Sequence, residues 1–222
     1  MTYETMQRAL WVFEKIMHSG HQLDVTLTGG EPTLKPDALY EVARNINVDN
    51  IWFATNAKRL TGEFMDNLVY ALERGIEVSI DISEDQYHEG SNDKQKLYNL
   101  DYYRGLIINK RGRIDNVIEQ GRAKTNQLGW REPIDLFLGI DEDETVEDDE
   151  EPKFIMYTTV YVNAKGEIIS GCDYSYSEQK NHVISNIFNT PETILQDYAN
   201  YYWEELLRKM VDNVYFQNNV LI

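Results

Sequence analysis

Apolar positions along the first half of the chain alternate between two periods. Met6, Leu10, Phe13 and Met17 recur at helical spacing and His18-Ser19-Gly20 follows as a stop, so a helix is expected over residues 3–18. Asp24 to Thr28 is a short β-rich run ending in Gly29-Gly30, and the next helical pattern covers Pro36 to Asn47. The unit repeats. Ile51 to Ala54 predicts a strand before Thr55-Asn56, and a helix follows from about Thr61, a capping residue, to Glu73, with Gly75 after its end. Ile76 to Asp81 predicts a third strand, Lys94 to Ile108 a helix, and Ile114 to Glu119 a fourth strand closed by Gly121. Strands and helices alternating at this spacing argue for a parallel sheet with right-handed crossovers.

Beyond Gly129 the rhythm changes. Ile134 to Ile140 reads as a strand, and Phe154 to Asn163 and Glu167 to Gly171 flank Asn163-Ala164-Lys165-Gly166, a hairpin signal. Pro191 opens a long helix expected to reach about Asp212, with Ile194, Leu195, Tyr198, Tyr202, Leu206 and Met210 as buried candidates and Tyr201 and Trp203 partly off that face. Two regions follow: residues 1–133, a β/α part, and residues 134–222, a hairpin-plus-helix extension.

Charge narrows the function classes. Lys and Arg number 21 against 38 Asp and Glu, a net of −17, so the average surface field repels nucleic-acid phosphates and anionic lipid. A protein partner, basic in charge, is the expectation instead. Asp141, Glu142, Asp143, Glu144, Glu147, Asp148, Asp149, Glu150 and Glu151 crowd one stretch, read as a solvated loop and as the leading candidate to dock such a partner. No apolar run reaches the roughly 20 residues of a membrane span, and the start lacks a basic secretory signal; a cytoplasmic address is expected. Cys172 is the only cysteine, so no intramolecular disulfide forms.

In parallel sheets ligands gather at the carboxyl ends of strands, where the notable residues fall. Gly29 and Gly30 permit a sharp turn and close approach to a ligand, Glu31 can accept from an ammonium, and Pro32 fixes the exit direction. Asp81, Asp85, His88 and Glu89 are weighed as a metal or acid/base cluster but read better as a solvated loop, since His88 has no second histidine at ligand spacing. His18, His21 and His182 read as ordinary loop or surface residues, and Cys172 as a small buried hydrophobe. No catalytic residue and no metal site are assigned.

Gly29-Gly30-Glu31-Pro32 resembles the turn after the second barrel strand in the radical S-adenosylmethionine superfamily. Elements in the family's order follow it: Thr55-Asn56, with Ala57 in place of the usual glycine; Ser79-Ile80-Asp81, continuing to Asp85 and His88; and Gly121-Arg122-Ala123. Glu167 to Asp173, with Ile184-Ser185-Asn186-Ile187 after it, is similar to the opening of an auxiliary-cluster extension, of which only the first cysteine, Cys172, is present. The similarities run over about residues 3–195. They imply an incomplete, TIM-type parallel β/α barrel with a C-terminal hairpin and long helix. They further imply that any S-adenosylmethionine would be held by Gly30 and Glu31 at its methionine end, by Ser79 or Asp81 at its ribose, and by Arg122 at a carboxylate.

The family's Cys-x3-Cys-x2-Cys loop and first strand are expected upstream of the helix at 3–18 and are not in this chain. Three thiolates are needed to hold the cluster, so none is expected here. An absent first strand would also leave an open sheet edge, expected to be covered by the C-terminal part of the chain, a second copy or a partner. The resulting expectation is a radical-SAM-like protein acting by binding, as a pseudoenzyme or an acidic inhibitor or adaptor of another, nucleic-acid-binding, protein. The alternatives are an S-adenosylmethionine-binding enzyme, the larger part of a split radical enzyme whose cluster arrives in trans, and a structural oligomer.

Overall fold

The structure is a computed structural model that describes residues 1–16, 23–28, 31–45, 48–83, 93–111, 138–140, 154–156, 160–171, 174 and 177–218. Contacts divide the chain into two compact units, Met6–Asn116 and a second formed by Val117–Ile222 with Met1–Thr5. The expected boundary at 133/134 lies outside the described residues.

The first unit is α/β. Helix α1 (Tyr3–Ile16) leads to β1 (Leu23–Leu27), a 3-10 turn at Pro32–Leu34, α2 (Pro36–Ala43), β2 (Val48–Thr55), α3 (Gly62–Glu73), β3 (Glu77–Ser83), α4 (Lys94–Tyr98) and β4 (Leu106–Arg111). The strands form one parallel sheet in the order β1-β2-β3-β4. Helix α3 begins and ends on local chemistry. The Thr61 hydroxyl accepts from the Phe64 N–H as N-cap, and Gly75, at φ +81°, takes the left-handed turn that ends it.

Register gives the sheet two unlike faces. Val25, Ile51, Phe53, Val78, Ile80 and Ile108 share one face, which packs against Leu39 and Val42 of α2 and Phe64 and Leu68 of α3. Phe53 and Phe64 meet edge-to-face at 5.8 Å. The opposite face carries Asp24, Thr26, Asn50, Trp52, Ala54, Ser79, Asp81 and Asn109 and is mainly polar.

Three expectations in this unit need correction. The helix expected over Lys94–Ile108 is only α4; turns follow it, Gly105 sits at φ +96°, and Leu106 enters β4. The Leu106-Ile107-Ile108 run gains more by pairing with β3 than by extending a five-residue helix, and the Val78 N–H to Gly105 carbonyl bond starts that pairing. The fourth strand of the sheet is therefore Leu106–Arg111, while Ile114–Glu119 lies outside the described residues. Helix α2 ends at Ala43 rather than Asn47, and β2 begins at Val48.

The second unit holds β5 (Leu138–Ile140) paired antiparallel with β6 (Phe154–Met156), and a three-stranded antiparallel sheet of β7 (Tyr161–Val162), β8 (Glu167–Ile169) and β9 (Val183–Asn186). Within Phe154 to Asn163, read as a single strand, the two described ends, β6 and β7, pair in different sheets, and residues 157–159 lie outside the described residues. The Asn163 to Gly166 hairpin forms as expected, with the buried Asn163 carboxamide accepting from the Lys165 and Glu167 N–H groups and donating to Glu167 Oε2 and Gln179 Oε1. Helix α5 runs from Pro191 to Asn218, past the expected Asp212. Ile194 is buried, but Leu195 is half exposed, because the sheet side of the helix is set by Ile194, Tyr198 and Tyr202.

Candidate functional site

Glu31 and Thr55 stand at the carboxyl ends of β1 and β2, where neighbouring parallel strands bring 24-residue-distant side chains together. Glu31 is extended (φ −113°) and caps the 3-10 turn, with Pro32 at its first position. Its Oε1 accepts from the Thr33 N–H at 3.2 Å, the Thr33 hydroxyl at 2.9 Å and the Thr55 hydroxyl at 2.6 Å; Oε2 accepts from the Asn56 N–H at 2.9 Å. Thr55 in turn accepts from the Ala57 N–H at 2.9 Å, and the Asn56 carboxamide accepts from the Lys58 N–H at 2.9 Å. Thr33 is 0% and Thr55 2% exposed, so their hydroxyls have no water to turn to.

This arrangement staples the exit of β1 to the exit of β2. The four donors to Glu31 among the described residues are neutral, and from them Oε2 takes one bond where a carboxylate oxygen can take two. One acceptor position on Oε2 has no donor among the described residues. The site offers a negative charge held in place by neutral groups, which suits an ammonium.

Ala57 is fully buried at φ +52°, a left-handed conformation that glycine enters without cost. The segment after it is held from below. The Leu60 N–H donates to Asp93 Oδ2 at 3.3 Å, Lys96 Nζ donates to the Leu60 carbonyl at 3.0 Å, and Lys96 and Asp93 pair at 2.9 Å. The Lys96 hydrogen bond and the Leu60 N–H together hold the Asp93 carboxyl below the usual range.

Asp81 and Ser79 lie on the polar face of β3; Asp81 stands beside Ala54 of β2 and is nearly buried, accepting from Asn109 Nδ2 of β4 at 3.0 Å. Thus Glu31 meets Thr55 and Asn56 directly, Pro32 follows it as the first residue of the turn, and Asp81 stands on the adjacent strand at the same end of the sheet. Gly29, Gly30, Arg122, Cys172, the segment Asp85–Glu89 and the acidic run Asp141–Glu151 lie outside the described residues. Among the described residues no group of three or more His, Cys, Asp or Glu is placed to hold a metal ion, and no helix is long and apolar enough to cross a membrane.

Two participants were not read from the sequence. Thr33 carried only a local signal: Pro32 marks the first position of a turn, which leaves the Thr33 N–H in need of an acceptor that Glu31 supplies. Asn109 carried none; only the β3–β4 register sets it beside Asp81. No family model, no curated protein and no solved structure matches the chain.

Proposed function

We propose that this chain is a radical-SAM-like protein that works by binding, as a pseudoenzyme or an acidic inhibitor or adaptor of a basic, nucleic-acid-binding protein, without an iron–sulfur cluster of its own. The observation that supports descent is the meeting of Glu31 with Thr55 and Asn56 through direct hydrogen bonds. Two further features are consistent with it. The sheet order β1-β2-β3-β4 runs without reversal, as consecutive strands do in a β/α barrel, and Ala57 occupies a left-handed position that suits the glycine of the family's pattern. The chain's residues do not fit a cluster: three thiolates are required and the chain has one cysteine. Anaerobic reconstitution with iron and sulfide is expected to leave the purified protein colourless. A stable brown species with cluster absorbance overturns the proposal.

A second reading, an S-adenosylmethionine-binding enzyme or the larger part of a split one, is favoured by the acceptor position on Glu31 Oε2 that no described residue fills. That carboxylate would hold the ammonium of the methionyl group, with Ser79 or Asp81 toward the ribose. Calorimetry with S-adenosylmethionine separates the two: saturable heat that Glu31→Gln abolishes supports the second reading, and no heat at millimolar ligand removes it.

A further inference from the structure

The polar face of the parallel sheet is low at its centre. On β2, Trp52 and Ala54 are successive residues of that face, and on β3 Ser79 stands beside Trp52 and Asp81 beside Ala54. Successive residues of one face lie about 6.6 Å apart along a strand, and neighbouring strands about 4.8 Å apart. Ala54 is thus a short side chain next to an indole on its own strand and a carboxylate on the adjoining one. Strand β2 lies inside the sheet, between β1 and β3. Even so, Trp52, Ala54 and Ser79 are only half-buried, whereas Ile51, Phe53, Val78 and Ile80 on the helix-covered face are fully buried. Solvent therefore reaches a hollow whose floor is Ala54. One planar layer at contact distance, about 3.5 Å, fits over that floor against Trp52.

The groups on this face select the occupant. Asp81 is 6% exposed and accepts from Asn109 Nδ2 at 3.0 Å, and a carboxylate can accept from further donors beside that one. Counted over every paired position of the face, the carboxylates of Asp24, Glu77 and Asp81 stand against one basic residue, Arg111, which is registered beside Ser83 rather than beside Asp81. A cation meets that balance. Among biological cations the guanidinium is planar: it lies flat on an indole and meets a carboxylate through a two-pronged fork, whereas an ammonium is a point charge. We propose that the hollow over Ala54 receives the guanidinium of an arginine from a partner protein, stacked on Trp52 and bonded to Asp81. This rests on the reading that the chain acts by binding a basic protein, and it names the side chain that is recognised and where.

The test titrates the full chain with N-acetyl-arginine amide and follows the Trp52 indole N–H and the Asn109 carboxamide by nitrogen–proton correlation NMR. N-acetyl-lysine amide and N-acetyl-citrulline amide, the latter of the same shape without the charge, serve as controls. Both signals are expected to shift saturably with the arginine compound at millimolar concentration, and each control to bind at least about fivefold more weakly. Read at Asn109, Trp52→Leu is expected to weaken binding about threefold or more and Asp81→Asn about tenfold, while Ile107→Thr, on the same face at the sheet edge, changes it less than about twofold. Asp81→Asn keeps the shape of the side chain and an acceptor for Asn109, so an unchanged melting profile separates lost binding from lost folding. Equal binding of the citrulline compound, or parental binding by both Trp52→Leu and Asp81→Asn, overturns the proposal. So does free arginine binding more than about tenfold tighter than the blocked form, since the ligand is then the amino acid. A gain of about tenfold in Arg111→Gln overturns it as well, since the occupant is then the chain's own arginine. The reconstitution experiment reports separately: a brown product overturns the proposed function whatever the titrations give, and absent shifts with a colourless product overturn only the arginine site.

Discussion

Substituting Glu31→Gln asks whether this carboxylate serves the fold or is held for a ligand. Glutamine matches its shape but replaces one acceptor oxygen by an NH2 group. With its carbonyl turned toward Thr33 and Thr55, three of the four bonds survive as neutral ones, and the NH2 faces the Asn56 N–H, donor against donor. The lost charge-assisted bond is worth about 1.5–3 kcal/mol, and the weakening of the other three adds to it. Partial exposure of Glu31 discounts the sum, giving about 2–3 kcal/mol. For a unit the size of Met6–Asn116 that corresponds to a fall in Tm of roughly 8–12 °C. The assay is thermal unfolding by circular dichroism together with hydrogen exchange at the Asn56 amide, which should lose protection. Thr55→Val removes the hydroxyl bonded to the other carboxylate oxygen, a bond that Glu31→Gln already weakens, so the double variant should be less destabilised than the sum of the singles by about 0.5–1 kcal/mol. Melting within about 2 °C of the parent, with Asn56 still protected, refutes the structural role assigned to Glu31.

Two other perturbations follow from the geometry. At Gly166, φ is +82° and an added Cβ would lie 2.9 Å from Ile187 Cγ1 and 3.0 Å from Phe188 Cε2; Gly166→Ala should therefore destabilise the three-stranded sheet by roughly 2–4 kcal/mol, read by urea unfolding. Asp93 has a folded pKa below its unfolded value, so its contribution is complete above about pH 4 and is lost as pH falls through the folded value. Asp93→Asn should flatten the acid limb of the stability curve below about pH 4, and an unchanged limb counts against the Lys96–Asp93–Leu60 bracket.

Local chemistry along the chain determined what depends on near neighbours. Thr61 as a cap and Gly75 as a stop bounded α3, and Asn163 to Gly166 specified the hairpin, because each needs only hydrogen bonds and dihedral preferences a few residues apart. The Gly29-Gly30-Glu31-Pro32 turn was legible as a candidate site for the same reason. Tertiary structure decided the rest. Leu106 to Arg111 is a strand because β3 offers it a ladder, a competitor that apolar spacing within 94–108 does not display. Leu195 is exposed because the neighbouring sheet sets which side of α5 is covered. Glu31 meets Thr55, and Asp81 meets Asn109, only through the ordering of parallel strands separated by whole helices. The identity of the candidate residues was written in the sequence; that Glu31 spends most of its bonding capacity on the fold follows from strand order, which is a property of the packed sheet.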